Sequence, residues 1–320
     1  MADSSGRLFL LGVERWRVID TVAVREQQII KAIVWSVAFS PDGRWLVSAH
    51  GDGSILVWDV AEHKRVANFN EHSDPVRVVA FSRDGKRLAS AGDDFSIIVW
   101  DLARNAKDVV LSGHNARVTG VDWSPDGSWL ASCDLWGNVL IWDTASGEPI
   151  RRINHPSGWG NTSEWLAVSP DGRWVGATHG VYDAETGTLV ANLYGIPEKD
   201  WIQADPWVKG GGLLNPARED KWLNQPFGAF SNDGRWLNIV GGVHLGLLEI
   251  ENWKVVNHTE LAGTQQLVAT VSRDGKLLAT GDIDAAIRLF DAKTLQKVTI
   301  LGRHAARPRS PSHSRPTESK

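Results

Sequence analysis

The sequence predicts an all-β fold built from repeated four-stranded units, on three observations. Tryptophans recur every 42 residues, at Trp16, Trp58, Trp100 and Trp142. An Asp-Gly pair keeps the same beat at Asp42-Gly43, Asp84-Gly85 and Asp126-Gly127, and returns at Asp171-Gly172, Asp233-Gly234 and Asp274-Gly275; each has a serine two positions before its Asp (Ser40, Ser82, Ser124, Ser169, Ser231, Ser272). No stretch carries an amphipathic helical period of useful length. Self-similarity at a fixed period of this size marks a repeat architecture.

Within one period the elements follow in order. A large or β-branched apolar residue precedes each serine (Phe39, Phe81, Trp123, Val168, Phe230, Val271), and after each glycine a polar residue leads into a second apolar run. This is strand, turn, strand. In "SPDGR" the proline presets φ at the second position of a type I turn, the Asp bonds the local backbone, and the Gly takes the left-handed conformation that closes the hairpin. The turn aspartates thus need no ligand to explain them. A third run closes each unit, "SILVWD" at Ser54 to Asp59, "SIIVWD" at Ser96 to Asp101, "NVLIWD" at Asn138 to Asp143 and "AIRLFD" at Ala286 to Asp291. These runs are short, free of proline and rich in Ile, Val and Leu, as strands are. A weaker fourth strand follows, as in "KRVANF" at Lys64 to Phe69 and "QKVTIL" at Gln296 to Leu301.

Trp58, Trp100 and Trp142 are expected in the core between units. Each can bury about 150 to 250 Å², on the order of 4 to 6 kcal/mol of gross transfer free energy at about 25 cal/mol per Å². In "GRWVGATHGVYD" the last hairpin is shortened, and Tyr182-Asp183 replaces Trp-Asp.

The bulk properties narrow the function. With 320 residues, 42% hydrophobic and 22% charged, the chain is an ordinary globular one, and its net charge of −4 gives no footprint for nucleic acid or an anionic membrane. The apolar run Leu8 to Val13 is too short to span a membrane. The single cysteine, Cys133, excludes an internal disulfide and a cysteine-rich zinc site, reads as a small buried hydrophobe, and fits a soluble cytoplasmic protein. There is no Walker loop, no His-Glu-x-x-His, no Gly-x-Ser-x-Gly and no cysteine pair. The ten histidines are scattered, with His50 and His179 read as loop or strand-end residues. No catalytic, cofactor-binding or metal-binding residue is therefore expected.

The run "GHNARVTGVDWSPDGSWLASC", continuing to "VLIWD", resembles the WD-repeat family of β-propellers, and the likeness extends over roughly residues 8 to 302. The resemblance implies a β-propeller of four-stranded antiparallel blades, about seven in all, the first incomplete because residues 8 to 30 supply only its last two strands. It also implies a tetrad in which a Gly-His histidine, a strand serine or threonine, a turn aspartate and the strand tryptophan brace one another. Carried over position by position, the tetrad is complete only as His72, Ser90, Asp94 and Trp100, so the blade around Trp100 is expected to be the most rigid. The copy ending at Trp58 keeps Ser48 and Asp52 but has Ile30 for the histidine. The copy ending at Trp142 keeps His114 and Ser132 but has Trp136 in the aspartate's place. Near the C-terminus Thr280 and Asp284 remain, with Phe290 for Trp and no histidine.

The breaks in the pattern mark the expected points of function. Residues 195–226 form an insertion with three tryptophans (Trp201, Trp207, Trp222) that the repeat does not need. By the family's geometry it lies on the top face with Trp136 and Trp159, and converging rigid aromatics are typical of binding surfaces. The expectation is a non-catalytic scaffold that grips a protein or peptide through Trp136, Trp159, Trp201, Trp207 and Trp222, within a larger regulatory or signalling assembly; glycan binding and an enzyme on a propeller frame are the alternatives. Residues 1–7 are read as a flexible N-terminus and residues 303–320, basic and rich in Ser, Pro and Arg, as a disordered tail. That tail begins like another repeat at "LGRHAAR" and then dissolves, as a chain altered after Arg307 would, leaving an open blade edge that invites self-association.

Overall fold

Alternating apolar strands joined by tight turns must pair with their neighbours and bury both sheet faces. In the computed structural model, which describes residues 8–12, 17–22, 33–153, 165–177, 180–193, 227–241, 244–261, 266–272, 274–282 and 286–303, they do so as a series of small antiparallel sheets. Strands β1 (Leu8–Gly12) and β2 (Arg17–Val22) form a two-stranded sheet. Blade one is β3 (Val34–Phe39), β4 (Trp45–His50), β5 (Ile55–Asp59) and β6 (Lys64–Phe69). Blade two is β7 (Val76–Phe81), β8 (Arg87–Gly92), β9 (Ser96–Asp101) and β10 (Ala106–Ser112); blade three is β11 (Val118–Trp123), β12 (Trp129–Asp134), β13 (Val139–Asp143) and β14 (Pro149–Ile153). Blade four has the short strands β15 (Leu166–Val168), β16 (Trp174–Ala177), β17 (Gly180–Asp183) and β18 (Leu189–Asn192). Blade five is β19 (Phe227–Phe230), β20 (Trp236–Gly241), β21 (His244–Glu249) and β22 (Lys254–Glu260); blade six is β23 (Gln266–Val271), β24 (Leu277–Asp282), β25 (Ala286–Asp291) and β26 (Lys297–Arg303).

The described residues thus form six four-stranded blades, and the expectation of about seven is corrected. Residues 8 to 22 have the two strands foreseen for an incomplete first blade, but they pair only with each other, as a separate two-stranded sheet. The insertion at 195–226 and the terminal segments 1–7 and 304–320 lie outside the described residues.

The six Asp-Gly turns close the first hairpin of each blade. Their glycines all have positive φ, from 68° at Gly234 to 74° at Gly43 and Gly172. In blade two Ser82 Oγ donates to Asp84 at 2.6 Å and accepts the Arg87 amide at 2.9 Å, so the buried serine locks the turn from inside. The same serine bond recurs at Ser124 and Ser231.

The core lies between blades, as layered sheets require. Val47 and Ala49 of blade one pack with Val79, Leu88 and Trp100 of blade two, and Ala89, Ile97 and Val99 of blade two pack with Trp123, Leu130 and Trp142 of blade three. Phe69 at the end of β6 stacks on Trp100 of the next blade with ring centroids 4.3 Å apart. Cys133 is buried between blades three and four, and Tyr182 fills the strand-tryptophan position there.

Candidate functional site

The tetrads hold the turns that carry the exposed side chains. In blade two His72 Nδ1 lies 2.7 Å from Asp94 and Nε2 lies 2.8 Å from Ser90 Oγ, which also accepts Trp100 Nε1–H at 2.8 Å. Blade three has the same set of bonds with a different aspartate. His114 bonds Asp134 at 3.0 Å and Ser132 at 2.7 Å, and Trp142 donates to Ser132 at 2.7 Å. The expectation that Trp136 leaves this copy without its carboxylate is corrected: Asp134, two residues beyond the serine and on the same face of the strand, supplies it. Burial pushes the Asp134 carboxyl up, but hydrogen bonds from His114 and Asn138 outweigh that and hold it below its ordinary value.

Blade one has a further variation. Trp58 donates to Ser48 at 3.0 Å, and the serine's second partner is His50 Nε2 at 2.8 Å. His50 is the last residue of β4, as the strand-end reading had it, and is also a fully buried member of the bracing group. His50 Nδ1 has no hydrogen-bond partner among the described residues, and burial lowers the imidazole to about 4, with Asp52 pulling it upward. In blade six Thr280 is buried, and the two buried charges next to it, Asp282 and Arg288, form an ion pair.

Trp136 is released from the tetrad and lies on the turn between β12 and β13, 57% exposed. This end of the sheet is opposite the Asp-Gly turns, and the first strand of each blade begins there. Two more aromatics reach the surface at the same end of the two preceding blades. Trp35, near the start of β3, is 45% exposed, and Phe95, on the turn between β8 and β9, is also 45% exposed. Trp35 is the extra residue of a β-bulge, since Val34 pairs His50 and Ser36 pairs Ala49; Arg77 and Thr119 hold the matching bulge positions in β7 and β11. A bulge re-aims the side chain it carries.

The bulged residues of blades one and two meet. The Arg77 guanidinium lies 4.0 Å from the Trp35 ring centroid, within cation–π range. It is held there by two bonds to the Asp93 carboxylate, Nε to Oδ1 at 2.8 Å and Nη2 to Oδ2 at 2.6 Å. Gly51 makes room, because a Cβ there would stand 3.2 Å from Trp35 Nε1. Phe95 has φ of 65°, while the equivalent residues of blades one and three, Gly53 and Gly137, are glycines at 85° and 80°. A bulky residue in that region is strained, so an exposed phenylalanine is held where glycine would fit more easily.

Of the five tryptophans expected to hold a partner, Trp136 is on this surface; Trp159, Trp201, Trp207 and Trp222 lie outside the described residues, as does His179. Trp35, Arg77, Asp93 and Phe95 were not anticipated. The signals for two of them are in the sequence: Trp35 is a tryptophan in "IVWSVAF" that falls off the 42-residue beat, and Phe95 takes a turn position that is glycine in the repeats on either side. Among the described residues no three His, Cys, Asp or Glu side chains are grouped so as to hold a metal, and no helix is long and apolar enough to cross a membrane.

The profile of the family described as "WD domain, G-beta repeat" matches residues 26–59, 63–101 and 107–143, which end at the strand tryptophans' Asp59, Asp101 and Asp143. A stretch of 69 residues is 29% identical to a component of mouse (Mus musculus) chromatin assembly factor 1, covering 22% of this chain and only 11% of that longer protein. A chain in the crystal structure of the mitotic checkpoint complex superposes with a TM-score of 0.70 at 19% identity, over 91% of this chain and 85% of the other, and shows the shared fold. Three consecutive units match the repeat profile and carry the His–Ser–Trp bracing, and the structural likeness extends over the blades: the chain resembles the WD-repeat family over residues 26–143 and has the β-propeller fold.

Proposed function

We propose that the protein is a non-catalytic interaction scaffold and that it holds a protein or peptide on the face carrying Trp35, Phe95 and Trp136. The observation that carries this is Phe95. A large apolar side chain in a left-handed backbone conformation, half exposed, costs stability where both flanking blades use glycine. Such a cost is retained where the side chain has work outside the fold. Trp35 and Trp136 flank it on the neighbouring blades, and Arg77 offers a guanidinium edge beside an aromatic face, the residue types most enriched at the centres of protein interfaces. The family's propellers are typically interaction scaffolds, and the two similar proteins are named as parts of a checkpoint complex and a chromatin assembly factor. A cytoplasmic address belongs to the same proposal and rests on the single, buried cysteine.

Peptide and oligosaccharide panels titrated against the protein, followed by tryptophan fluorescence and calorimetry, test the reading. Peptide binding that is lost in Trp35→Ala and Trp136→Ala, with the fold intact, supports it; binding of sugars alone overturns it.

A further inference from the structure

The aromatic face has an acidic border. At this end of blades one to three, residues 50–54, 70–77, 92–96, 112–119 and 134–138 contain six Asp and Glu against two Lys and Arg, which are Arg77 and Arg117. Four of the six carboxylates have partners within the fold. Asp94 and Asp134 bond the tetrad histidines, Asp93 holds Arg77 through both oxygens, and Glu71 pairs with Lys107 of β10. Asp52 and Asp74 remain. Both are exposed, and none of the ion pairs within 4.0 Å among the described residues uses either.

Asp52 is at the surface for the same reason as Trp136. The two hold equivalent turn positions, and so does Asp94, which His72 ties into the tetrad of blade two. In blades one and three a residue of the strand itself, His50 or Asp134, takes over the bracing and releases the turn side chain. Asp52 Oδ1 accepts the Ser54 amide at 3.0 Å and Ser54 Oγ at 2.6 Å. Burial pushes its carboxyl up, but these bonds outweigh that and hold it below its ordinary value, so the charge is present at neutral pH. The neighbouring His50, lowered to about 4 by burial, is neutral there and offers no countercharge.

The same turn brings Asp52 beside Trp35 and Asp74. It has a glycine on each side of Asp52. A Cβ at Gly51 would stand 3.2 Å from Trp35 Nε1, and a Cβ at Gly53 would stand 2.8 Å from the His72 carbonyl oxygen and 3.3 Å from that of Asp74. The turn is therefore pressed between the tryptophan and the loop that carries Asp74. Trp35 is 45% exposed, and the Arg77 that lies over its ring is neutralised by Asp93. An exposed indole beside two carboxylates without a countercharge attracts a cation, through the ring quadrupole and through Coulomb attraction together.

We propose that the partner held on the aromatic face is a basic peptide segment, with a lysine or arginine side chain laid against the exposed part of Trp35 and its charge between Asp52 and Asp74. The proposal rests on the reading of this face as an interaction surface and names the chemistry of what it takes.

The test selects binders to the full chain from a randomised nonapeptide library and measures the recovered peptides in solution by fluorescence anisotropy. The recovered sequences are expected to be enriched in lysine and arginine. Their binding should weaken about threefold in Asp52→Asn, about threefold in Asp74→Asn and about tenfold in the double variant. Asparagine keeps the Oδ1 acceptor that Ser54 uses, so the thermal midpoint stays in place. Binding should also weaken as the salt concentration rises. Peptides that need Trp136 but carry no basic residue, or that bind the double Asp variant as tightly as the wild type, overturn the basic partner and leave the aromatic face standing. No recovered peptide, or peptides indifferent to Trp35→Ala, Trp136→Ala and both Asp substitutions, overturns the reading of this face and the proposal with it.

Discussion

His50 and Ser48 sit two residues apart on one strand and bond each other at 2.8 Å, the contact that His72 makes to Ser90 across eighteen residues of chain. The short route leaves His50 without the carboxylate that His72 has. Burial therefore sets its proton affinity, holding it at about 4 against an ordinary 6.5. The unfolded chain takes up this proton before the folded one does. Stability is at its full value above about 6.5, falls as pH drops through the window from 6.5 to 4, and levels off below it. The whole loss is of order 3 kcal/mol. Urea unfolding at several pH values, compared with His50→Gln, measures it: the wild type is expected to lose more stability than the variant across that window, and parallel curves would sink the assignment.

Asp134 and Trp136 have exchanged the roles their spacing assigns them, and two substitutions separate them. Asp134 accepts from His114, from Asn138 Nδ2 and from the amides of Trp136 and Asn138. Asp134→Ala strands these donors in the interior and is expected to cost about 2 to 4 kcal/mol. Trp136→Ala removes only an exposed side chain and is expected to stay within about 0.5 kcal/mol. Equilibrium denaturation decides between them; equal losses would return Trp136 to a structural role.

The same pair shows how far the sequence could be read. Turn and strand residues were legible because each contributes locally: Asp84-Gly85 forms its turn, and Trp100 its packing, wherever the rest of the chain goes. The tetrad was legible only where the family's spacing holds, as in His72, Ser90, Asp94 and Trp100. In blades one and three a side chain two residues beyond the serine reaches the same partner, because alternate residues share a strand face. Spacing counts residues along the chain, while a hydrogen bond depends on direction. The aromatic face was half legible for a related reason. Trp136 stands out because it breaks the pattern, but Trp35 reaches the surface through a bulge, and a bulge shows only in the pairing register.

Trp35 and Arg77 are expected to be coupled across two blades. The guanidinium is already fixed by Asp93, so little side-chain freedom is lost in placing it over the ring. A double-mutant cycle with Trp35→Leu and Arg77→Ala should return a coupling of about 0.5 to 1 kcal/mol in favour of the pair. Asp93→Asn should reduce that coupling, since it loosens the arginine without touching the tryptophan. A coupling of zero would mean the two side chains merely overlap in projection.

Gly120 and Cys133 report on the packing of blades three and four. A Cβ at residue 120 would stand 2.8 Å from Cys133 Sγ and 2.9 Å from Leu166 Cβ, so Gly120→Ala overpacks an interface that has no slack. The expected cost is about 1 to 3 kcal/mol. Cys133 is 0% exposed and gives the readout directly. A thiol reagent should label it only as the blades open, and faster in Gly120→Ala; rapid labelling of the native wild type would contradict the closed interface.

Phe95 is where stability and binding are expected to part. Its left-handed backbone costs roughly 1 to 2 kcal/mol, and glycine removes that cost while giving the unfolded chain more freedom, worth about 0.4 to 1 kcal/mol. The balance favours Phe95→Gly by about 0.5 to 1 kcal/mol, with little packing lost because the ring is already half exposed. If the phenylalanine is kept for a partner, the same substitution weakens peptide binding. The two measurements move in opposite directions only under that reading. A Phe95→Gly protein that is both more stable and equally able to bind would remove the argument that singles out this face.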